Sequence, residues 1–142
     1  MATGPLDAPW PDQAVRPEER GRAAARLHRR GVDLAQSLGE GFGFEVAFFW
    51  QPFVYTRDVP VEGEEPVIGS WGTDPAAWTA ASDAARAEIH PSVVDISDAY
   101  AGVDEPLYYD YVHTNERGAE LVAAEMYDRL RPRLLELAEA RS

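Results

Sequence analysis

Asp110 and His113 stand three residues apart in a segment, residues 97–118, that reads SDAYAGVDEPLYYDYVHTNERG and runs up to a helix start at Asn115. A carboxylate beside an imidazole can fix its tautomer and stabilise the cation formed when the ring takes a proton from a hydroxyl. The chemistry this pair could serve is general-base activation of a hydroxyl nucleophile. The spacing alone is common, and three readings stay open for His113: a catalytic base, a structural or capping histidine, and a metal ligand. The metal reading needs more ligands than one ring. Asp95, Asp98, Asp104 and Asp110 offer hard oxygens, but their spacing follows no calcium loop.

Elements of two kinds must position such a pair. Ala24, Leu27, Gly31, Leu34 and Leu38 recur at helical spacing behind Pro17, a first-turn residue, and ahead of the stop signals Gly39, Gly41 and Gly43. They predict a helix of about 20 residues. Residues 44–50, FEVAFFW, form a nearly continuous apolar run that predicts a strand buried on both faces. The acidic stretch from Phe53 to Pro75 lacks a sustained period and reads as a long loop, a rim or lid over a pocket. Asp74 and Pro75 open a second helix over about 76–89, and residues 92–96, SVVDI, read as a second strand. Strand, helix-bearing crossover and strand make a βαβ unit with parallel strands, and loops after their carboxyl ends gather on one rim. A final helix follows, capped by Asn115, with Glu116 and Glu120 near its positive end. Val122, Met126, Leu130, Leu134 and Leu137 form its stripe, and Pro132 is expected to kink or loosen its end. Residues 1–15 read as an irregular lead-in.

Composition removes whole classes of function. No cysteine is present, which excludes disulfides, thiolate zinc and a cysteine nucleophile. Thirteen arginines and no lysine face 25 acids, for a net charge of −12, so nucleic acid is not an expected partner. Six of the arginines lie between residues 16 and 30, on what reads as a solvated helix face. No apolar run reaches the roughly 20 residues of a membrane span. The first residues show neither a basic nor an apolar leader pattern, which leaves the compartment cytoplasmic by default.

The string YYDYVHTNERGAELVAAEMYDRL, residues 108–130, resembles the final block of SGNH (GDSL-type) serine ester hydrolases: an Asp-x-x-His, then an Asn, a Gly three residues later and an amphipathic terminal helix. Asn115 and Gly118 match the helix cap and small residue of that block. The apolar run leading into Trp50-Gln51-Pro52-Phe53 looks like the family's penultimate strand, and the resemblance extends from about Arg16 to Leu137. It implies a flavodoxin-like three-layer αβα fold with parallel strands, incomplete here, with residues 16–142 forming its C-terminal portion. It further implies ester hydrolysis without cofactor or metal, His113 acting as base and Asp110 orienting it, on a small-molecule ester.

The family's Gly-Asp-Ser nucleophile block and Gly-x-Asn-Asp oxyanion block are not found in the sequence. Ser37, Ser70, Ser82, Ser92 and Ser97 are poor substitutes. Two strands cannot complete a five-stranded sandwich, so the chain is expected to be a fragment of a longer product, inactive alone, or else a non-enzymatic subunit or interaction module that associates through an exposed sheet edge. His28 reads as a surface residue among arginines and His90 as a helix-end residue. Phe48, Phe49 and Trp50 read as core. Tyr55, Trp71, Trp78, Tyr108 and Tyr109 could line a pocket or anchor the long loop.

Overall fold

A computed structural model describes residues 15–57, 61–68 and 74–140. Nearly all of the expected lead-in, together with Ser70 and Trp71, lies outside those residues. The elements in order are α1 (Pro17–Phe42), β1 (Phe48–Trp50), a 3₁₀ turn (Val54–Thr56), the single-turn α2 (Glu65–Ile68), α3 (Pro75–Arg86), β2 (Val93–Asp95) and α4 (Glu116–Glu139).

The class is α/β, with a small parallel sheet of two strands. Phe48 pairs with Val93, Phe49 with Val94 and Trp50 with Asp95, and the Ile96 N–H continues the ladder to the Trp50 carbonyl at 3.0 Å. The first strand is shorter than the apolar run that announced it. Residues 44–47 are exposed and outside the ladder, because among the described residues β2 is the sole partner strand and it reaches only as far back as Phe48.

Helix α1 is 26 residues long and runs through Gly39 and Gly41. It stops only where Gly43 takes φ 72 and returns its N–H to the Gly39 carbonyl at 2.8 Å, a left-handed cap that glycine adopts without steric cost. The apolar line that marks the helix in the sequence is not the line that is buried. Gly21, Ala25, Val32 and Gly39 are buried, whereas Leu27, Leu34 and Leu38 are exposed. The reason is the close approach of α1 to α3: a Cβ added at Gly21 would lie 2.0 Å from the Ala81 carbonyl oxygen. Small residues let the two backbones nearly touch, so the long side chains fall on the other side of the helix.

Helix α3 begins as its sequence signals say, with the Asp74 carboxylate accepting the Ala76 N–H at 3.0 Å and Pro75 in the first turn. Helix α4 continues through Pro132 to Glu139. Only Gly118 is fully buried on it, in its first turn, and Tyr127, Leu134 and Leu135 are exposed. Its distal half is held to the chain ahead of β1 by the Arg133–Glu45 ion pair. No described helix is long and apolar enough to cross a membrane.

The core sits among the segments that follow the strands. Val54, Tyr100, Leu107 and Tyr108 are buried together, with Tyr55, Ile68, Tyr111, Leu121 and Val122 packed against them. Full burial of a side chain such as Leu107 contributes roughly 1.5–3 kcal/mol. The stretch read as one acidic loop is pinned into this core. Glu64 is fully buried, with its Oε1 accepting from Arg57 Nη1 and from the Leu107 N–H, each at 2.8 Å, and the Tyr55 hydroxyl donates to the Ile68 carbonyl at 2.9 Å.

Candidate functional site

The segment leading into α4 doubles back on itself. Tyr108 and Thr114 form an antiparallel bridge, and the Tyr109 N–H donates to the His113 carbonyl at 2.8 Å. Asp110 stands at the tip of this turn. Its Oδ1 accepts the backbone N–H of His113 at 2.7 Å and of Val112 at 2.8 Å, while Oδ2 lies 2.6 Å from His113 Nδ1. The His113 N–H, the imidazole and the Val112 N–H, in that order, hold the Asp110 carboxyl at about 2, well below the ordinary 3.8. An ionised oxygen at 2.6 Å requires a proton on Nδ1, which leaves Nε2 as the nitrogen with the lone pair when the ring is neutral. The His113 side chain is 78% exposed, and Nε2 has no hydrogen-bond partner among the described residues. The pair can take a proton at Nε2 and stabilise the resulting cation.

Three supports fix the turn. Asn115 caps α4 by accepting the Gly118 N–H at 2.9 Å, donates its amide to the Pro106 carbonyl at 2.8 Å, and sends its backbone N–H to the Leu107 carbonyl at 2.8 Å. Gly118 is held by the Tyr100 hydroxyl, which donates to its carbonyl at 3.0 Å; a Cβ there would meet Thr114 Cβ at 2.8 Å and both the Leu107 carbonyl and Tyr100 Oη at 3.0 Å. The Val54 N–H donates to the Tyr111 carbonyl at 3.2 Å, which ties the turn to the backbone just beyond the carboxyl end of β1.

That last tie brings an aromatic array alongside. Phe53 and Tyr55 meet edge to face at 5.6 Å, Tyr55 stacks on Trp78 of α3 at 6.3 Å, and Trp78 lies 6.0 Å from Tyr111. Tyr108 is a core residue, and burial pushes its phenol far above the ordinary range. Tyr109 is exposed and donates to Glu116 at 2.5 Å.

No described serine hydrogen-bonds to the His113 ring. Ser37 donates to the Asp33 carbonyl, Ser92 bonds His90 Nδ1 and Gln36, and Ser82 is buried in α3 without a partner among the described residues. Ser97 is buried beyond β2 and contributes, with Thr56, Arg57, Arg86 and Asp98, to a depression of about 480 Å³ that includes neither Asp110 nor His113. Asp95 and Asp98 form no cation-binding group with other described residues. His90, expected to close the second helix, lies instead in the turn between Arg86, where α3 ends, and Val93, and its Nε2 contacts Asp33 at 3.3 Å. His28 does not lie free on the surface: its ring is edge-on to Trp50 at 5.9 Å, with Nδ1 buried.

The two residues singled out by sequence, Asp110 and His113, are thus brought into contact. Sequence reasoning passed over Glu64 and Arg57, which hold the backbone entering the turn, since nothing distinguishes them among neighbouring charges. No protein-family profile, curated protein or solved structure matches the chain.

Proposed function

We propose that this chain carries the general base of an SGNH-type serine ester hydrolase, and that its two strands belong to a larger flavodoxin-like three-layer αβα sheet. One observation carries the reading: Asp110 Oδ2 lies 2.6 Å from His113 Nδ1 in a turn joined to the carboxyl end of β1. In this mechanism a serine Oγ attacks the ester carbonyl while its proton passes to His113 Nε2. Asp110 stabilises the imidazolium. Collapse of the tetrahedral intermediate sends that proton from Nε2 to the leaving alcohol oxygen. Water then repeats the sequence on the acyl-serine, again giving its proton to Nε2. The serine and the oxyanion donors come from blocks outside this sequence, and the substrate is a small-molecule ester whose apolar part meets the Phe53, Tyr55, Trp78 and Tyr111 array.

The test begins with DNA on the 5′ side of the Met1 codon, expected to encode a Gly-Asp-Ser and a Gly-x-Asn-Asp block in frame or in an adjacent frame. The product carrying both parts should turn over p-nitrophenyl acetate and take a fluorophosphonate label on the serine. His113→Ala should then lower kcat by about 10⁴-fold or more. Equal rates for the two proteins would remove His113 from the mechanism, and the lack of any such block would sink the assignment.

A further inference from the structure

A second group of polar side chains stands at the opposite end of the sheet. Ser92 immediately precedes β2, which runs parallel to β1, so it lies at the amino rim, whereas the His113 turn is joined to the carboxyl end of β1. Ser92 Oγ lies 2.6 Å from His90 Nδ1, and His90 Nε2 lies 3.3 Å from Asp33 Oδ1. The Gln36 amide donates to Ser92 Oγ at 3.1 Å. Asp33 and Gln36 are one helical turn apart on α1, and both reach the 90–92 turn. A histidine and a serine two residues on can meet in a turn of their own. Asp33 and Gln36 make this group more than a turn, because they come from another element and engage the ring nitrogen and the hydroxyl oxygen that the turn leaves over.

The bonds fix where each proton sits. The Ser92 backbone N–H is donated to His90 Nδ1 at 3.1 Å, so that nitrogen carries the lone pair and the ring proton is on Nε2, facing Asp33. The hydroxyl at 2.6 Å must then donate to Nδ1, while its oxygen accepts from Gln36. A hydroxyl turned onto a basic nitrogen, with a carboxylate behind the ring, is the arrangement that activates a serine. Ser92 is exposed, and the His90 side chain is 20% exposed. Gln36 also lines an open depression of about 570 Å³ whose walls include Gly39, Glu40, Phe44 and Val46.

We propose that Ser92, His90 and Asp33 form a second acyl-transfer site acting on small neutral acyl esters, with Ser92 the nucleophile, His90 its general base and Asp33 the residue that positions the ring. Ser92 Oγ attacks the ester carbonyl carbon as its proton passes to His90 Nδ1, and Asp33 stabilises the imidazolium through the Nε2 proton. Protonated Nδ1 no longer accepts the Ser92 N–H, which joins the Gln36 amide as a donor beside the reacting atom, where the oxyanion forms. Collapse breaks the bond to the leaving alcohol oxygen, which takes the proton from Nδ1, and leaves acyl-Ser92. Water adds to that ester by the same route and releases the carboxylic acid. The depression beyond Gln36 takes the acyl group: Phe44 and Val46 give it apolar surface, and Glu40 at its edge repels an anionic one. Glu45, the other acid there, is held by Arg133.

The test uses the full 142-residue chain, which carries neither of the blocks that the His113 reading requires from elsewhere. A fluorophosphonate should label Ser92, located by peptide mass spectrometry, and p-nitrophenyl acetate should acetylate the same residue with a burst of p-nitrophenol. Ser92→Ala should abolish both with an unchanged circular dichroism spectrum. His90→Gln should slow labelling about a hundredfold or more. Asp33→Asn should slow it about tenfold or more, with Asp33→Glu recovering most of the loss. His113→Ala should leave labelling at its parent rate. A Ser92 that takes no label overturns the proposal, as does a label that His90→Gln leaves equally fast. If His90→Gln unfolds, Asp33→Asn decides: a rate equal to the parent's overturns it. None of these residues belongs to the His113 turn, so failure here leaves that reading standing, and absence of an upstream serine block leaves Ser92 labelling untouched.

Discussion

Glu64→Ala should be the most damaging single truncation on the path to the His113 turn. Glu64 and Arg57 form an ion pair at 2.8 Å, with only 1% and 6% of their side chains exposed. Arg57 also donates to the Glu105 carbonyl at 3.2 Å and to the Val103 carbonyl, and the Glu64 oxygen that receives Arg57 also receives the Leu107 N–H. Alanine at 64 leaves a guanidinium buried without its counter-charge, which costs about 3–5 kcal/mol. It also leaves the Leu107 N–H without an acceptor, worth about 1–3 kcal/mol more where no water enters. Even the lower end of that sum, about 4 kcal/mol, is a large share of the 5–15 kcal/mol of a typical domain, and at roughly 1.5 kcal/mol per molar of urea it moves the midpoint down by at least roughly 2–3 M. Urea unfolding followed by fluorescence measures this. Amide exchange at Asn115, whose N–H is accepted by the Leu107 carbonyl, should accelerate in parallel. The double substitution Arg57→Met with Glu64→Leu removes both charges together and should recover most of the loss. The reasoning is refuted if Glu64→Ala costs under about 1 kcal/mol, or if the double variant is as unstable as the single one, since the cost would then not come from an uncompensated charge.

The Asp110 carboxyl, held at about 2 in the folded chain against 3.8 ordinarily, binds fewer protons folded than unfolded between those values, so its stabilising contribution is complete above about pH 4 and is lost as the pH falls toward 2. Carbon-detected titration of Asp110 should show the low midpoint, and Asp110→Asn should flatten the acid limb of a stability profile across that window. Gly118→Ala, although alanine favours helix by about 1 kcal/mol, should destabilise by roughly 1–3 kcal/mol net, because the added methyl meets Thr114, Leu107 and Tyr100 at 3.0 Å or less; a melting temperature at or above the parent's contradicts this. Asn115→Ala should cost about 1 kcal/mol for the cap and more for its bond to the Pro106 carbonyl, read by chemical denaturation, with Asn115→Asp recovering only the cap. On the proposed function, Trp78→Ala in the product bearing the serine block should raise KM for an aryl ester about tenfold with kcat nearly kept; a fall in kcat alone would detach the aromatic array from substrate binding.

The existence of α1, α3 and α4 was legible because each carries a local start signal, and α1 and α4 a sustained period as well: Pro17, Asp74 with Pro75, and Asn115 stand where the helices begin. The two parallel strands were legible as short apolar runs on either side of a helix. The inward face of α1 was not. Periodicity marks an apolar line without saying which side of the fold it faces, and Leu27, Leu34 and Leu38 drew attention away from Gly21 and Ala25, which are buried because they are small enough for α3 to touch the backbone. Glu64 could not be read either. Its burial depends on Arg57 and on an amide 43 residues away, and no local pattern encodes a partner at that distance. The contact between Asp110 and His113 was the opposite case: a carboxylate that accepts the N–H groups two and three residues ahead makes its own turn, and the turn brings the imidazole back to it.

That locality separates what this chain does at the site from what must come to it. Orientation of the imidazole is largely local to residues 106–118, since the bridge, the Asp110 bonds, the Asn115 cap with its bonds to Pro106 and Leu107, and the snug Gly118 all lie within that stretch, while Tyr100, Glu64 and Val54 brace it from outside. Exclusion of water is not intrinsic. A ring 78% exposed works in a medium where water competes for Nε2 and screens the charge that Asp110 stabilises, so an arrangement of this kind gains catalytic strength only when a second surface closes over it. The aromatic array offers one wall for that closure, joined to the turn through Tyr111, and the opposite wall would come with the nucleophile. In the proposed enzyme the base is therefore oriented before the site is complete, and assembly changes the solvent around His113 more than it changes the Asp110–His113 geometry.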